Sequence, residues 1–239
     1  MKLTVLGKYG PFPKENGATS SYLLQVDGKN ILLDCGAGAF SRLSKIIKIE
    51  DIDVIFLSHF HFDHTSDIGV LMYCYQSLFA KGYTKKPIVF CPDDGGALVD
   101  SVINCPYFEV NLVRGGEISM VDDIDFEFYP MRHPVQSVGV KISHGEKVFA
   151  YTGDTNLCDS LCDLYEGSDL VLADGAFLLE DWNETLPHLS VEHIVDFTNK
   201  YGNKSIISHI SPRYNNEQLQ EKVKKSNCII AQEGESYEL

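Results

Sequence analysis

DVIFLSHFHFDH, residues 53–64, joins an apolar run directly to three histidines and an aspartate. The run Val54-Ile55-Phe56-Leu57 is too short for a helix and offers no polar residue to water, so it predicts a strand buried on both faces. Of eight histidines in the chain, His59, His61 and His64 fall within six positions, with Asp63 among them. Imidazoles crowded at a strand exit leave ring nitrogens without partners, at about 1–3 kcal/mol for each buried polar group, unless something binds them. A metal ion does so. His59 and His61, two apart in an extended segment, project to one side. Asp63 and His64 follow as the chain turns into a helix, within reach of a second point a few ångströms away.

Six residues cannot fill two coordination spheres, so further ligands must come from other strand ends. The sequence supplies them in a repeated form, a His or Asp just past an apolar run. His133 follows Phe126-Glu127-Phe128-Tyr129-Pro130-Met131, Asp154 follows Phe149-Ala150-Tyr151-Thr152-Gly153, and His209 follows Ser205-Ile206-Ile207-Ser208.

Working outward, Ser21 to Val26 and Asn30 to Leu33 flank Asp27-Gly28-Lys29 and predict a β-hairpin. Helices are expected over 40–48, 66–80, 95–104, 159–166, 190–200 and 216–225, the last with Glu217 early and Lys222 late, as its dipole favours. Strands are expected at 1–7, 53–58, 88–91, 108–114, 124–132, 138–143, 147–151, 170–173 and 205–208. From 108 to 153 only strands are expected. Strand runs with helices before, between and after them predict an α+β protein, a four-layer αββα sandwich in which two sheets pack together under helices. No stretch reads as a linker or repeat, and one domain over 1–239 is the expectation.

The bulk properties narrow the partners. With 239 residues and a formal charge of −14, the chain buries a sizeable core and repels polyanions. Seven cysteines with no CxxC pair read as reduced thiols, and no apolar run approaches the ~18 residues of a membrane span, so a cytoplasmic protein without membrane contact is expected. The start, Met1-Lys2-Leu3-Thr4-Val5, lacks the order of a signal peptide.

With these residues in place the chain resembles the metallo-β-lactamase-fold hydrolases, marked by HxHxDH followed by a distant His, an Asp and a last His. The resemblance spans essentially the whole chain. It implies that His59, His61 and His133 hold one divalent ion, that Asp63, His64 and His209 hold another, and that Asp154 bridges them. It also gives Asp34, in Asp34-Cys35-Gly36, a supporting place behind the ligands. Imidazole with carboxylate suits zinc first, with manganese or iron as alternatives. Two such ions about 3.5–4 Å apart share and activate a water and stabilise attacking and leaving oxygens, which is hydrolysis. Asp67 is either a further supporting acid or a plain helix-start acid.

Ser208-His209-Ile210-Ser211-Pro212-Arg213-Tyr214 is similar to the HxSxRY motif of the ribonuclease Z group, and Gly153-Asp154-Thr155 to another of its marks. This closer resemblance implies a phosphodiesterase in which His188 donates to a phosphoryl or leaving oxygen, Asp174 orients His188, Asp63 takes part in the chemistry, and Ser211 and Arg213 contact the substrate. Asp174 stands where the group has Glu, and the motif after Asp34 is less polar than usual. The arm that grips tRNA in that group lies between the third ligand His and the bridging Asp. Here two strand patterns fill the interval from His133 to Asp154, leaving no room for an arm. A small-molecule or short phosphodiester is therefore the expected substrate, and tRNA is disfavoured. The alternatives are a tRNA 3′-end endonuclease, a lactone or ester hydrolase, and a non-catalytic metal-bound module; the resemblance also implies a homodimer. His144 in a turn reads as a surface residue, His193 as packing or solvated, and Trp182 as an anchor of its loop.

Overall fold

The computed structural model describes residues 1–239. In chain order the strands are β1 (Lys2–Gly7), β2 (Ser21–Val26), β3 (Lys29–Leu33), β4 (Val54–Phe56), β5 (Ile88–Cys91), β6 (Glu109–Leu112), β7 (Ile118–Val121), β8 (Ile124–Met131), β9 (Ser137–His144), β10 (Lys147–Tyr151), β11 (Leu170–Asp174), β12 (Lys204–Ser208), β13 (Cys228–Ile230) and β14 (Ser236–Glu238). They form two seven-stranded mixed sheets, ordered β14-β1-β2-β3-β4-β5-β6 and β13-β12-β11-β10-β9-β8-β7. The helices are α1 (Ala39–Leu43), α2 (Phe62–Thr65), α3 (Ile68–Ala80), α4 (Ala97–Ile103), α5 (Ser160–Tyr165), α6 (Val191–Tyr201) and α7 (Asn216–Val223).

Three separate apolar layers account for the four structural ones. A layer of 24 buried residues lies between the sheets, one of 18 lies between the first sheet and α1, α3 and α4, and one of 18 lies between the second sheet and α5 to α7. The period of two along a strand explains why β4 is apolar throughout. Val54 and Phe56 point into the layer between the sheets, while Ile55 and Leu57 point under the helices. The expected αββα sandwich is the observed architecture.

Several elements differ from expectation. The strand expected over 108–114 is β6, Glu109–Leu112, which pairs in parallel with β5 at the edge of the first sheet, so the change of sheet falls at 113–117. The helix expected over 40–48 stops at Leu43, and a short turn of α2 precedes α3. Strands β7, β13 and β14 were not expected. All three lie at or beside sheet edges, where Ile118 and Met120 of β7 are 70 % and 67 % exposed and burial leaves a weak pattern. Helix α6 starts at Ser190, whose side chain accepts from His193 N while the His193 ring accepts from Ser190 N. It ends at Gly202, which adopts the left-handed φ of 74°. All seven cysteines are free thiols. No helix is long and apolar enough to cross a membrane.

Candidate metal centre

Strands β3 and β4 run parallel, as do β10, β11 and β12, and β8 shares their direction because both β8 and β10 are antiparallel to β9. The C-terminal ends of these strands deliver polar residues to one edge of the sandwich, where ligands bind in open α/β sheets. His59, His61, Asp63 and His64 follow β4, His133 follows β8, Asp154 follows β10, Asp174 ends β11 and His209 follows β12.

Two groups of donor atoms form there, with Asp154 in both: His59, His61, His133 and Asp154, and Asp63, His64, Asp154 and His209. In the first, His61 Nδ1 lies 3.0 Å from His133 Nε2, and Asp154 Oδ2 lies 3.6 Å from His59 Nε2 and 4.0 Å from His133 Nε2. In the second, His209 Nε2 lies 3.1 Å from Asp63 Oδ2 and 3.3 Å from Asp154 Oδ2, and His64 Nε2 lies 3.1 Å from Asp154 Oδ1. Donors sharing one tetrahedral ion at 2.0–2.1 Å stand about 3.4 Å apart, so these spacings suit a divalent metal site. A second observation agrees: His59 Nε2, His64 Nε2 and Asp154 Oδ1 are buried without a hydrogen-bond partner. Orphaned polar atoms meeting at one point are costly unless a cation satisfies them.

Three of the inward nitrogens are aimed by a bond at the far side of the ring. His59 Nδ1 faces Ser58 Oγ at 3.0 Å, His64 Nδ1 faces Asp34 Oδ2 at 2.7 Å, and His133 Nδ1 faces the Pro187 carbonyl at 3.2 Å. A carboxylate and a carbonyl only accept, so the neutral rings of His64 and His133 carry their hydrogen on Nδ1, which leaves Nε2 to face the site. Asp34 is fully buried and also accepts from Ser58 N (2.8 Å), Ser58 Oγ (2.9 Å) and Tyr151 OH (2.6 Å). Asp34 and His209 both hold left-handed backbone, at φ 54° and 55°, a strained conformation that surrounding contacts must maintain. Gly10 packs against the His209 ring so closely that a Cβ there would lie 2.0 Å from Nε2. Asp67, a candidate for support, instead accepts from Phe40 N at 3.0 Å and ties α1 to the start of α3.

The field at the site favours positive charge. Burial pushes His59 well below its ordinary value, and likewise lowers His133. Burial also pulls on His64 and His209, but facing carboxylates outweigh it: Asp154 and Asp34 raise His64 to about 10, and Asp154 and Asp174 raise His209 well above 6.5. Asp154 is driven far below the carboxylate range, against its burial, by His209, His64, His188 and His59. The attraction that holds protons there would hold a cation.

His188 stands at the margin of the site. Its Nδ1 lies 2.8 Å from Asp174 Oδ2 and 3.7 Å from Asp154 Oδ2, and its ring stacks on His209 at 4.7 Å and 24°. Asp174 is buried and further fixed by Thr155 N (3.1 Å) and Ala176 N (3.2 Å). The loop carrying His188 is pinned by Asn156 Nδ2 to the Leu186 carbonyl, by Arg132 to the Glu184 carbonyl (3.2 Å), and by Trp182 Nε1 to the His188 carbonyl (2.9 Å). A cleft of about 200 Å³ opens beside His133, between Arg132, Asn156 and Pro187.

The remaining candidates lie further out. Arg213 pairs with Asp181 at 3.2 Å, with its guanidinium over Tyr214 (4.7 Å) and Phe177 (5.3 Å). Ser211 accepts from Tyr214 N through its carbonyl, in the turn after His209. His193 caps α6, and His144 lies on the surface 3.0 Å from Asp123. Ser58 and Tyr151 escaped the sequence reading. For Ser58 the signal was available, a lone hydroxyl closing an apolar strand. For Tyr151 none was, because its partner is 117 positions away.

Comparison with known proteins agrees with this fold. A family profile described as "Beta-lactamase superfamily domain" matches residues 29–210. A probable metallo-hydrolase, YhfI of Bacillus subtilis, is 29 % identical over 192 residues, covering 80 % of this chain and 78 % of its own. A ribonuclease Z of Mycolicibacterium gilvum is 28 % identical over 218 residues, covering 82 % and 76 %. The crystal structure of YhfI superposes with a TM-score of 0.91 at 24 % identity, over 99 % of this chain and 98 % of that one.

Proposed function

We infer the function from one premise: the chain belongs to the β-lactamase superfamily. We propose that it is a metal-dependent hydrolase, one domain over 1–239, that cleaves a small or flexible phosphodiester with two divalent ions, zinc in the first instance. In this reading His59, His61 and His133 hold one ion, Asp63, His64 and His209 the other, and Asp154 lies between. Ions bound there supply Lewis acidity at the phosphoryl oxygens and lower the pKa of a water.

The protein's own groups do the rest. Asp63 Oδ2, 3.1 Å from His209, orients the attacking water by accepting its hydrogen. His188 Nε2 delivers a proton to the departing oxygen, and Asp174 at 2.8 Å keeps Nδ1 protonated and the ring aimed. Arg213 and Ser211 contact non-bridging oxygens, and Arg213 exchanges Asp181 for the substrate as it does so. The single observation that carries the reading is the His188–Asp174 pair stacked on His209. Hydrolysis by activated water alone needs no such donor, whereas phosphodiester cleavage builds negative charge on its leaving oxygen.

The relative named ribonuclease Z supports phosphodiester chemistry. Substrate size follows from the interval between His133 and Asp154, which β9 and β10 fill as a tight hairpin, and from the −14 charge. Both favour a small diester over tRNA. The free thiols support a reducing, cytoplasmic setting. The test is turnover of a cyclic nucleotide, a small diester whose leaving alkoxide must be protonated, by zinc-loaded protein. His188→Ala is expected to lower kcat by about 10²–10⁴-fold with metal content unchanged. Unchanged diester turnover in His188→Ala would overturn the donor role, and no diester turnover beside lactone turnover indifferent to the substitution would overturn the reading in favour of acyl chemistry.

A further inference from the structure

Of the 24 aliphatic and aromatic side chains in the layer between the two sheets, 22 are pure hydrocarbon; Tyr22 and Tyr151 are the exceptions. Phenylalanine would fill the same space, and a buried hydroxyl with a partner adds only about 1 kcal/mol of net stability, so these two hydroxyls call for another explanation. Their partners suggest one. Tyr151, on β10 of the second sheet, donates to Asp34 Oδ2 at 2.6 Å at the end of β3 in the first sheet. The same oxygen faces His64 Nδ1 at 2.7 Å. Tyr22, on β2 of the first sheet, donates to Ser208 Oγ at 2.7 Å in the second, and Ser208 precedes His209. The two rings cross edge to face, 5.5 Å apart at 62°.

We propose that Tyr22 and Tyr151 are positioning residues, a crossed brace that sets His64 against His209 across the gap between the sheets. Resting on the dinuclear reading above, the brace acts on one half of that site. His64 comes from the first sheet and His209 from the second, their rings lie 5.2 Å apart at 23°, and both belong to the group with Asp63 and Asp154. Apolar packing between sheets is non-directional and tolerates small slips. A metal site tolerates a few tenths of an ångström. Each tyrosine reaches from one sheet to a residue that backs or adjoins a histidine of the other, so a slip of either sheet breaks a directed bond. His59 and His133 are aimed instead by Ser58 and the Pro187 carbonyl, and neither tyrosine bonds to either of those groups. Ser58 is held to Asp34 by two bonds of its own, so Tyr151→Phe is expected to leave it in place.

The test is zinc titration of metal-free full-length protein against a chromogenic chelator, for wild type, Tyr22→Phe, Tyr151→Phe and the double variant, with cobalt(II) visible spectra taken in parallel. Tyr165→Phe is the control, since Tyr165 is equally buried but lies under the helices of the second sheet. Wild type is expected to bind two ions. Each brace variant should weaken one binding event about 10-fold, leave the other unchanged and alter the cobalt spectrum of the weakened site, while Tyr165→Phe matches wild type. The brace is overturned if wild type binds two ions and the variants match it, if both events weaken equally, or if the control behaves like the variants. Fewer than two ions in wild type would instead overturn the dinuclear reading itself, and the brace with it.

Discussion

Asp154 is the residue on which the site turns, because its two oxygens face donors from both groups. With two ions bound as proposed, Asp154→Ala is expected to remove both, where loss of His133 alone should remove one; elemental analysis after dialysis distinguishes the two. The residue types were legible because HxHxDH is dense chemistry in a short span, and the three distant candidates share one local signature, a His or Asp closing an apolar strand. Their convergence is a property of the fold. Arg213 illustrates the limit. As a residue type in a loop it reads equally as a phosphate contact or a surface ion pair, and only the folded chain puts Asp181 3.2 Å away.

Elements carry the site by holding their ends still. Phe56 on β4 is fully buried and stacks within 6.1 Å of Phe128 from the other sheet, three positions before His59. Phe56→Ala should cost about 3–5 kcal/mol of stability, read as a lower urea midpoint. Ser190→Ala removes the cap of α6 two residues after His188 and should cost about 1 kcal/mol, with a loss of kcat because the His188 loop loses its C-terminal anchor. The interior strands were legible for the same reason that these substitutions matter: a residue buried on both faces must be apolar. Three of the four edge strands, β7, β13 and β14, were not. Ser236-Tyr237-Glu238 makes β14 only because β1 offers it a ladder, and β6 reads as a strand without revealing which sheet it joins.

At the scale of the whole molecule, metal and proton compete for the same histidines. His64 titrates near 6.5 when unfolded and is raised to about 10 when folded, so its contribution is complete below pH 6.5 and is lost as pH climbs toward 10. The melting temperature of metal-free protein should accordingly fall between pH 7 and 9. Zinc displaces those protons and binds more tightly as pH rises, so saturating zinc should flatten or reverse the slope. Scanning calorimetry with and without chelator checks both signs.

What the sequence determined by itself is what short-range order can carry: the apolar strands, most of the helices, the sandwich built from them, and a set of residues whose only common property is a place at a strand end. Tertiary structure alone decided which of these meet, which sheet β6 enters, that Arg213 faces Asp181, and that two tyrosines cross between the sheets. The reason is distance along the chain. A period or a motif is written within a few residues, whereas Tyr22 finds Ser208 across 186 positions and Tyr151 finds Asp34 across 117, and only packing brings such partners together.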